Sequence, residues 1–187
     1  MLPLRFVVRA ALALPVFAVG LVLTSCDLAS AGGTAILNAN SAVPPTVRHR
    51  FEYERTDATQ DGIVEVTSEI EAETLDDVLA DNGFARSDVV SARIDSVEVV
   101  PITAPSPAEA ILHLGSDDSG PQIARVTFSE EAPTPAVDRS GQLVTGTVRS
   151  GTSKVFARFQ AGAPRAIPEG GGVVRALVYY RLEVEGV

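Results

Sequence analysis

The sequence has no tryptophan, one cysteine, one methionine, two histidines and three tyrosines in 187 residues. A single cysteine excludes an intrachain disulfide and any cysteine-rich metal centre. Two histidines leave a zinc site short of ligands unless carboxylates complete it, and neither H-E-x-x-H nor C-x-x-C is present. Lysine is almost missing. Lys154 stands against fourteen arginines, and no polybasic stretch exists that could neutralise a run of phosphates. With a formal net charge of −9 the field of the chain disfavours nucleic acid as a partner. What remains is ordinary globular composition, 45% hydrophobic and 21% charged, at a length that suits one domain.

The first 26 residues differ from the rest. Arg5 and Arg9 form a short positive segment, and Ala10 to Leu23 is a stretch of 14 uncharged residues, the length of a signal-peptide core. It falls short of the ~20 apolar residues that a transmembrane helix needs. Leu23, Thr24, Ser25 and Cys26 follow directly. This resembles the lipobox of bacterial lipoproteins, and the sole cysteine sits where the apolar core ends. The resemblance implies a diacylglyceryl group on the Cys26 thiol, cleavage between Ser25 and Cys26, and acylation of the new amine. Residues 1–25 are then a signal peptide, and the mature protein is lipid-anchored to a bacterial membrane on its periplasmic side or at the cell surface. The competing cut lies after Ala29, Ser30 and Ala31, an A-x-A pattern that would discard Cys26 and release the protein. Asp27 resembles the residue that retains some proteobacterial lipoproteins in the inner membrane. Without Arg5 and Arg9, 13 basic residues face 24 acidic ones, a charge near −11.

Residues 26–45 combine the lipidated position with small residues, Asn38, Asn40 and the pair Pro44 and Pro45, and read as a flexible tether. Fully extended, about 18 residues reach ~60 Å. The other reading of this stretch is a short first strand at Ala35, Ile36 and Leu37.

The body, residues 46–187, is written mostly in period two. Val47, His49, Phe51 and Tyr53 alternate with Arg48, Arg50, Glu52 and Glu54; after a turn at Asp57 to Gly62, Val64, Val66, Ser68 and Ile70 alternate with Glu65, Thr67, Glu69 and Glu71. These two runs read as antiparallel neighbours, with Arg48 and Arg50 facing the acids of the second. Thr74 to Asp77 has the pattern of a capping box, and Asn82 and Gly83 that of a stop, which predicts one short helix near residues 75–81. Val89 to Ile102, rich in Val and Ile without clean alternation, reads as a central strand covered on both faces or carrying a bulge; Ala110 to Leu114, Ile123 to Phe128, Leu143 to Val148 and Val155 to Phe159 read as further strands. Ala132 to Gly141 is a proline-containing loop. Val174 to Val184 closes the chain in clean alternation. The pattern predicts an all-β fold, a two-sheet antiparallel β-sandwich of immunoglobulin-like or jelly-roll type. From Val47 through Phe128 the order of strand, turn, strand, short helix, Val-rich strand and acidic-tipped hairpin resembles small exported β-sandwich proteins of the Bacteroidetes. That resemblance implies the fold and no chemistry.

Catalytic groups are scarce. No G-x-S-x-G elbow is present. His49 on the apolar side of its strand and His113 between Leu112 and Leu114 read as core or edge residues held by backbone partners. Calcium is the one ion the sequence offers ligands for, at Asp57 and Asp61 before Gly62 and at Asp117 and Asp118 before Gly120, although such Asp–Gly clusters also make ordinary turns. No other cofactor is expected. Glu52, Glu54, Glu65, Glu69 and Glu71 fall on solvent-facing strand positions, and Tyr179 is the one tyrosine expected to point outward from the last strand. The expectation is a membrane-anchored, non-catalytic envelope lipoprotein whose sandwich binds or supports an envelope protein or glycan. A carboxylate-dependent envelope hydrolase and a calcium-stabilised adhesion module are the alternatives.

Overall fold

The computed structural model describes residues 33–103, 107–129, 134–139, 141–161 and 166–185. Residues 1–25, read above as a signal peptide, and Cys26 lie outside the described residues. In chain order the elements are β1 (Thr34–Leu37), β2 (Thr46–Tyr53), β3 (Ile63–Thr67), β4 (Glu69–Ile70), α1 (Leu75–Asp81), β5 (Val89–Pro101), β6 (Glu109–Leu114), β7 (Gln122–Thr127), β8 (Ala136–Asp138), α2 (Thr145–Arg149), β9 (Val155–Gln160) and β10 (Gly172–Glu185).

The strands form two antiparallel sheets. One runs β4-β2-β10-β5-β8, with β1 on β10 as its sixth strand; the other runs β3-β9-β6-β7. The all-β two-sheet sandwich is therefore as expected. Numbering the eight main strands (β2, β3, β5 to β10) in chain order gives sheets 1-8-3-6 and 2-7-4-5. That is the order of a jelly roll, a long antiparallel ribbon rolled so that its successive pairs alternate between sheets, and it differs from the immunoglobulin arrangement.

β10 carries the frame. Its inward residues Val174, Ala176, Val178, Tyr180, Leu182 and Val184 are all buried, and it pairs with β2 on one side and β5 on the other. The alternation in sequence follows from burial of one face only, with successive side chains pointing to opposite sides of the pleat. Between the sheets, the Phe159 ring meets Phe51 edge-on at 5.6 Å and Tyr53 at 5.4 Å. Phe51 and Tyr53 belong to the first sheet and Phe159 to the second, so these contacts join the layers.

Helix α1 is built as its sequence requires. Asp77 N–H donates to Thr74 Oγ1 at 3.3 Å, and Thr74 N–H donates back to the Asp77 carboxylate at 2.8 Å. Leu75, Val78 and Leu79 enter the core. At the other end Gly83, with φ of +81°, and Phe84 return their N–H groups to the carbonyls of Ala80 and Leu79, a Schellman stop.

Four expectations need correction. Residues 34–45 are not a flexible tether. Thr34–Leu37 pairs with Glu185–Leu182 as β1, and Asn82 Nδ2 fixes the Val43 carbonyl at 3.1 Å.

The hairpin of β2 with its successor does not form. β3 pairs with β9 in the other sheet, and only β4 returns to β2, because the chain crosses between layers at Ser68. Arg50 finds Glu71 past that crossing. Leu143 to Val148 is not a strand. Leu143 makes one bridge to Arg93, Thr145 Oγ1 accepts the Ala92 N–H at 2.9 Å, and the chain then turns into α2. The helices are accordingly two rather than one among the described residues. Finally, the loop at Ala132 to Gly141 contains β8, which pairs with β5.

Candidate functional site

His49 is completely buried on the inner face of β2. Its Nδ1 lies 3.0 Å from Ser68 Oγ, while Nε2 has no partner. Ser68 in turn accepts the Val155 N–H at 3.0 Å and donates its own N–H to the Val155 carbonyl at 2.8 Å. Burial pushes the imidazole down to about 4 from 6.5, because charging it would strand a second N–H in an apolar core. The expected backbone partner of His49 is thus replaced by a side chain. A Ser beside a His invites comparison with a nucleophile and its base, but both side chains are buried, His49 completely, with Ser68 Oγ already bonded to the Val155 N–H. This pair is a tie between the sheets.

His113 behaves as expected. Its Nδ1 contacts the Gly120 carbonyl at 2.9 Å and steadies the turn from β6 to β7.

That turn forms one wall of a surface crevice of about 710 Å³; the other wall is α2 and the loop into β9. Its polar lining includes Ser116, Asp117, Ser119, Thr147, Ser153 and Lys154, the only lysine of the chain. The walls are joined by the Gly115 N–H donating to the Lys154 carbonyl at 2.9 Å. Gly120 is required there, since a Cβ would sit 2.2 Å from the Leu114 carbonyl oxygen. Arg86 braces the far wall from behind. It donates to the Val148 carbonyl at 2.7 Å and to Ser153 Oγ at 2.8 Å, and pairs with Asp76. Chemically the crevice offers hydroxyl and backbone donors and acceptors, one ammonium and one carboxylate. Sequence reading missed it because its walls come from segments thirty residues apart, one of them read as a strand.

The calcium candidates fall at opposite ends of the second sheet. Asp61 precedes the Ile63–Gln160 pair, whereas Asp117 and Asp118 follow Leu114, the partner of Val155 at the other end of β9. Asp57 accepts the Glu54 N–H at 2.7 Å, and Asp117 accepts the Ser119 N–H at 2.9 Å. Hydrogen bonds from Ser119 hold the Asp117 carboxyl below the usual range. Among the described residues no three His, Cys, Asp or Glu side chains come together as a metal-binding group.

The strand acids do not converge either. Glu52 pairs with Arg50, Glu71 lies between Arg50 and Arg175, and Glu54, Glu65 and Glu69 are exposed. Three surface depressions contain one carboxylate each, Asp117, Glu183 and Glu73. Tyr179 is half-exposed on the outer face of β10. Among the described residues no helix is long and apolar enough to cross a membrane. Comparison with protein-family models, with curated proteins and with solved structures finds no match.

Proposed function

We propose that this protein is exported, lipidated at Cys26 and held at a bacterial membrane, where its jelly-roll domain serves as a non-catalytic binding or support module. The observation that carries the reading is the position of the only cysteine, directly after an apolar core of signal-peptide length and within Leu23-Thr24-Ser25-Cys26. The domain supports it by the use of its reactive groups. Both imidazoles are spent on internal hydrogen bonds, His49 with Ser68 and His113 with Gly120. The crevice beside Lys154 has the chemistry of recognition: hydroxyls and backbone groups suited to a glycan or to a polar segment of an envelope protein. With β1 beginning at Thr34, the domain would sit within ~30 Å of the bilayer, close enough to act only on partners at the membrane surface.

Labelling growing cells with an alkyne fatty acid tests this. The wild-type protein should carry the label and Cys26→Ala should lose it and accumulate as a larger precursor; equal labelling of both would overturn the reading.

A further inference from the structure

On the outer face of the first sheet, arginine stands directly opposite arginine twice. Arg50 of β2 faces Arg175 of β10, and Arg181 of β10 faces Arg93 of β5. Directly opposite side chains lie within roughly 4.5–5.5 Å at Cβ, and like charges placed so repel. The fold resolves the first pair with a carboxylate. Glu71 accepts from Arg175 Nε at 2.6 Å and from Arg175 Nη2 at 3.1 Å, and its Oε1 lies 3.4 Å from Arg50 Nη1.

The second pair has no such counterion. Among the described residues neither Arg93 nor Arg181 makes an ion pair, and the one acceptor either reaches is the Gly141 carbonyl, 3.4 Å from Arg93 Nη1. Arg93 and Arg181 instead line a cleft of about 230 Å³, together with Ser91, Glu183 and Ile36. Ile36 is 53% exposed there, and Leu143, bridged to Arg93, is 56% exposed.

We propose that this cleft is a binding site for a phosphate group, which takes between Arg93 and Arg181 the place that Glu71 takes between Arg50 and Arg175. Two guanidinium forks present more N–H donors than a carboxylate can accept, and they match the several oxygens of a phosphate. Glu183 reduces the lining to one net positive charge, which suits the single charge of a phosphodiester. The exposed Ile36 and Leu143 flank the site with apolar surface, as a lipid headgroup would require. Ile36 also lies ten residues after Cys26. The headgroup source rests on the anchoring reading; the anion site does not.

The test uses the protein purified from cells in nonionic detergent, with the Nε–Hε NMR signals of Arg93 and Arg181 as readout. Inorganic phosphate at constant ionic strength should shift both signals saturably, with a Kd on the order of 1 mM. Arg93→Gln/Arg181→Gln should weaken binding at least about tenfold by calorimetry, whereas Arg48→Gln/Arg158→Gln, which removes the same charge elsewhere, should not. Without phosphate, Arg181→Gln should raise Tm by about 1–3 °C, because it relieves the repulsion, which also confirms that the variant folds. A linear, unsaturated response, equal binding by the Arg93/Arg181 variant, or an equal response to acetate would overturn the proposal. Micelles doped with phosphatidylglycerol identify the source. If they reproduce the phosphate shifts, the ligand is a headgroup; if only free phosphate does so, the site stands with a dissolved ligand. Fatty-acid labelling at Cys26 reads the anchoring separately.

Discussion

Ser68 Oγ lies 3.0 Å from His49 Nδ1 at the point where the chain leaves one sheet for the other. The serine is also locked to Val155 through both of its polar groups, its hydroxyl and its N–H. One small side chain thus ties β2, the corner before β4 and the first residue of β9.

The pair gives the domain an acid limit. His49 binds its proton at about pH 4 when folded and near 6.5 when unfolded, so the unfolded state takes up more protons between those values. Stability from this group is therefore complete above pH 6.5, falls as pH drops toward 4, and costs about 3 kcal/mol once the histidine is charged. His49→Leu should remove that slope while changing stability at neutral pH by less than about 1 kcal/mol, since volume is kept and Val155 still satisfies Ser68. Urea denaturation across the pH range checks it; an unchanged slope contradicts it.

Ser68→Ala should be worse than His49→Leu. It leaves the Val155 N–H and the His49 ring nitrogen both buried without partners, at a cost of about 3 kcal/mol. Ser68→Thr keeps the oxygen, and urea midpoints should place it well above the alanine variant.

Glu71→Gln should expose the repulsion that the fold hides. Hydrogen bonds from Arg175 hold the Glu71 carboxyl below its usual range, so its contribution is present at neutral pH and lost only as pH falls through that lowered value. The group is near the surface, and the expected loss is about 1 kcal/mol at low salt, shrinking at high salt as screening weakens both attraction and repulsion. Melting temperatures at two salt concentrations decide; a loss independent of salt speaks against the electrostatic account.

Gly171→Ala should destabilise by about 2–4 kcal/mol. Its φ is +78°, and a Cβ would come 2.3 Å from the Tyr53 carbonyl oxygen, against backbone that cannot swing aside. Thermal melting reads this directly, and a wild-type Tm would contradict it.

The parts of the fold that could be read from the chain are those fixed by local rules. β10 shows its buried face residue by residue from Val174 to Val184, and Thr74, Asp77 and Gly83 mark both ends of α1 before any packing is known. The crossing at Ser68 could not be read, because alternation runs unbroken from Val64 through Ile70 while the chain changes sheets. Its one trace was a serine in an apolar row. α2 was hidden by the β-branched residues Val144, Thr145, Thr147 and Val148, whose preference for strands is overruled once Thr145 Oγ1 takes the Ala92 N–H. The opposition of Arg93 and Arg181 depends on a register shift between Tyr179 and Tyr180; its mark in β5 is the adjacent Asp95 and Ser96 between buried Ile94 and Val97, which signals a bulge but not which arginine it sets opposite Arg181.

The most direct test of the whole account is the mass of the amino-terminal peptide of the native protein. The account predicts a peptide that begins at Cys26 and carries a thioether-linked diacylglycerol. An unmodified terminus at Gly32, the product of cleavage after Ala31, would contradict it.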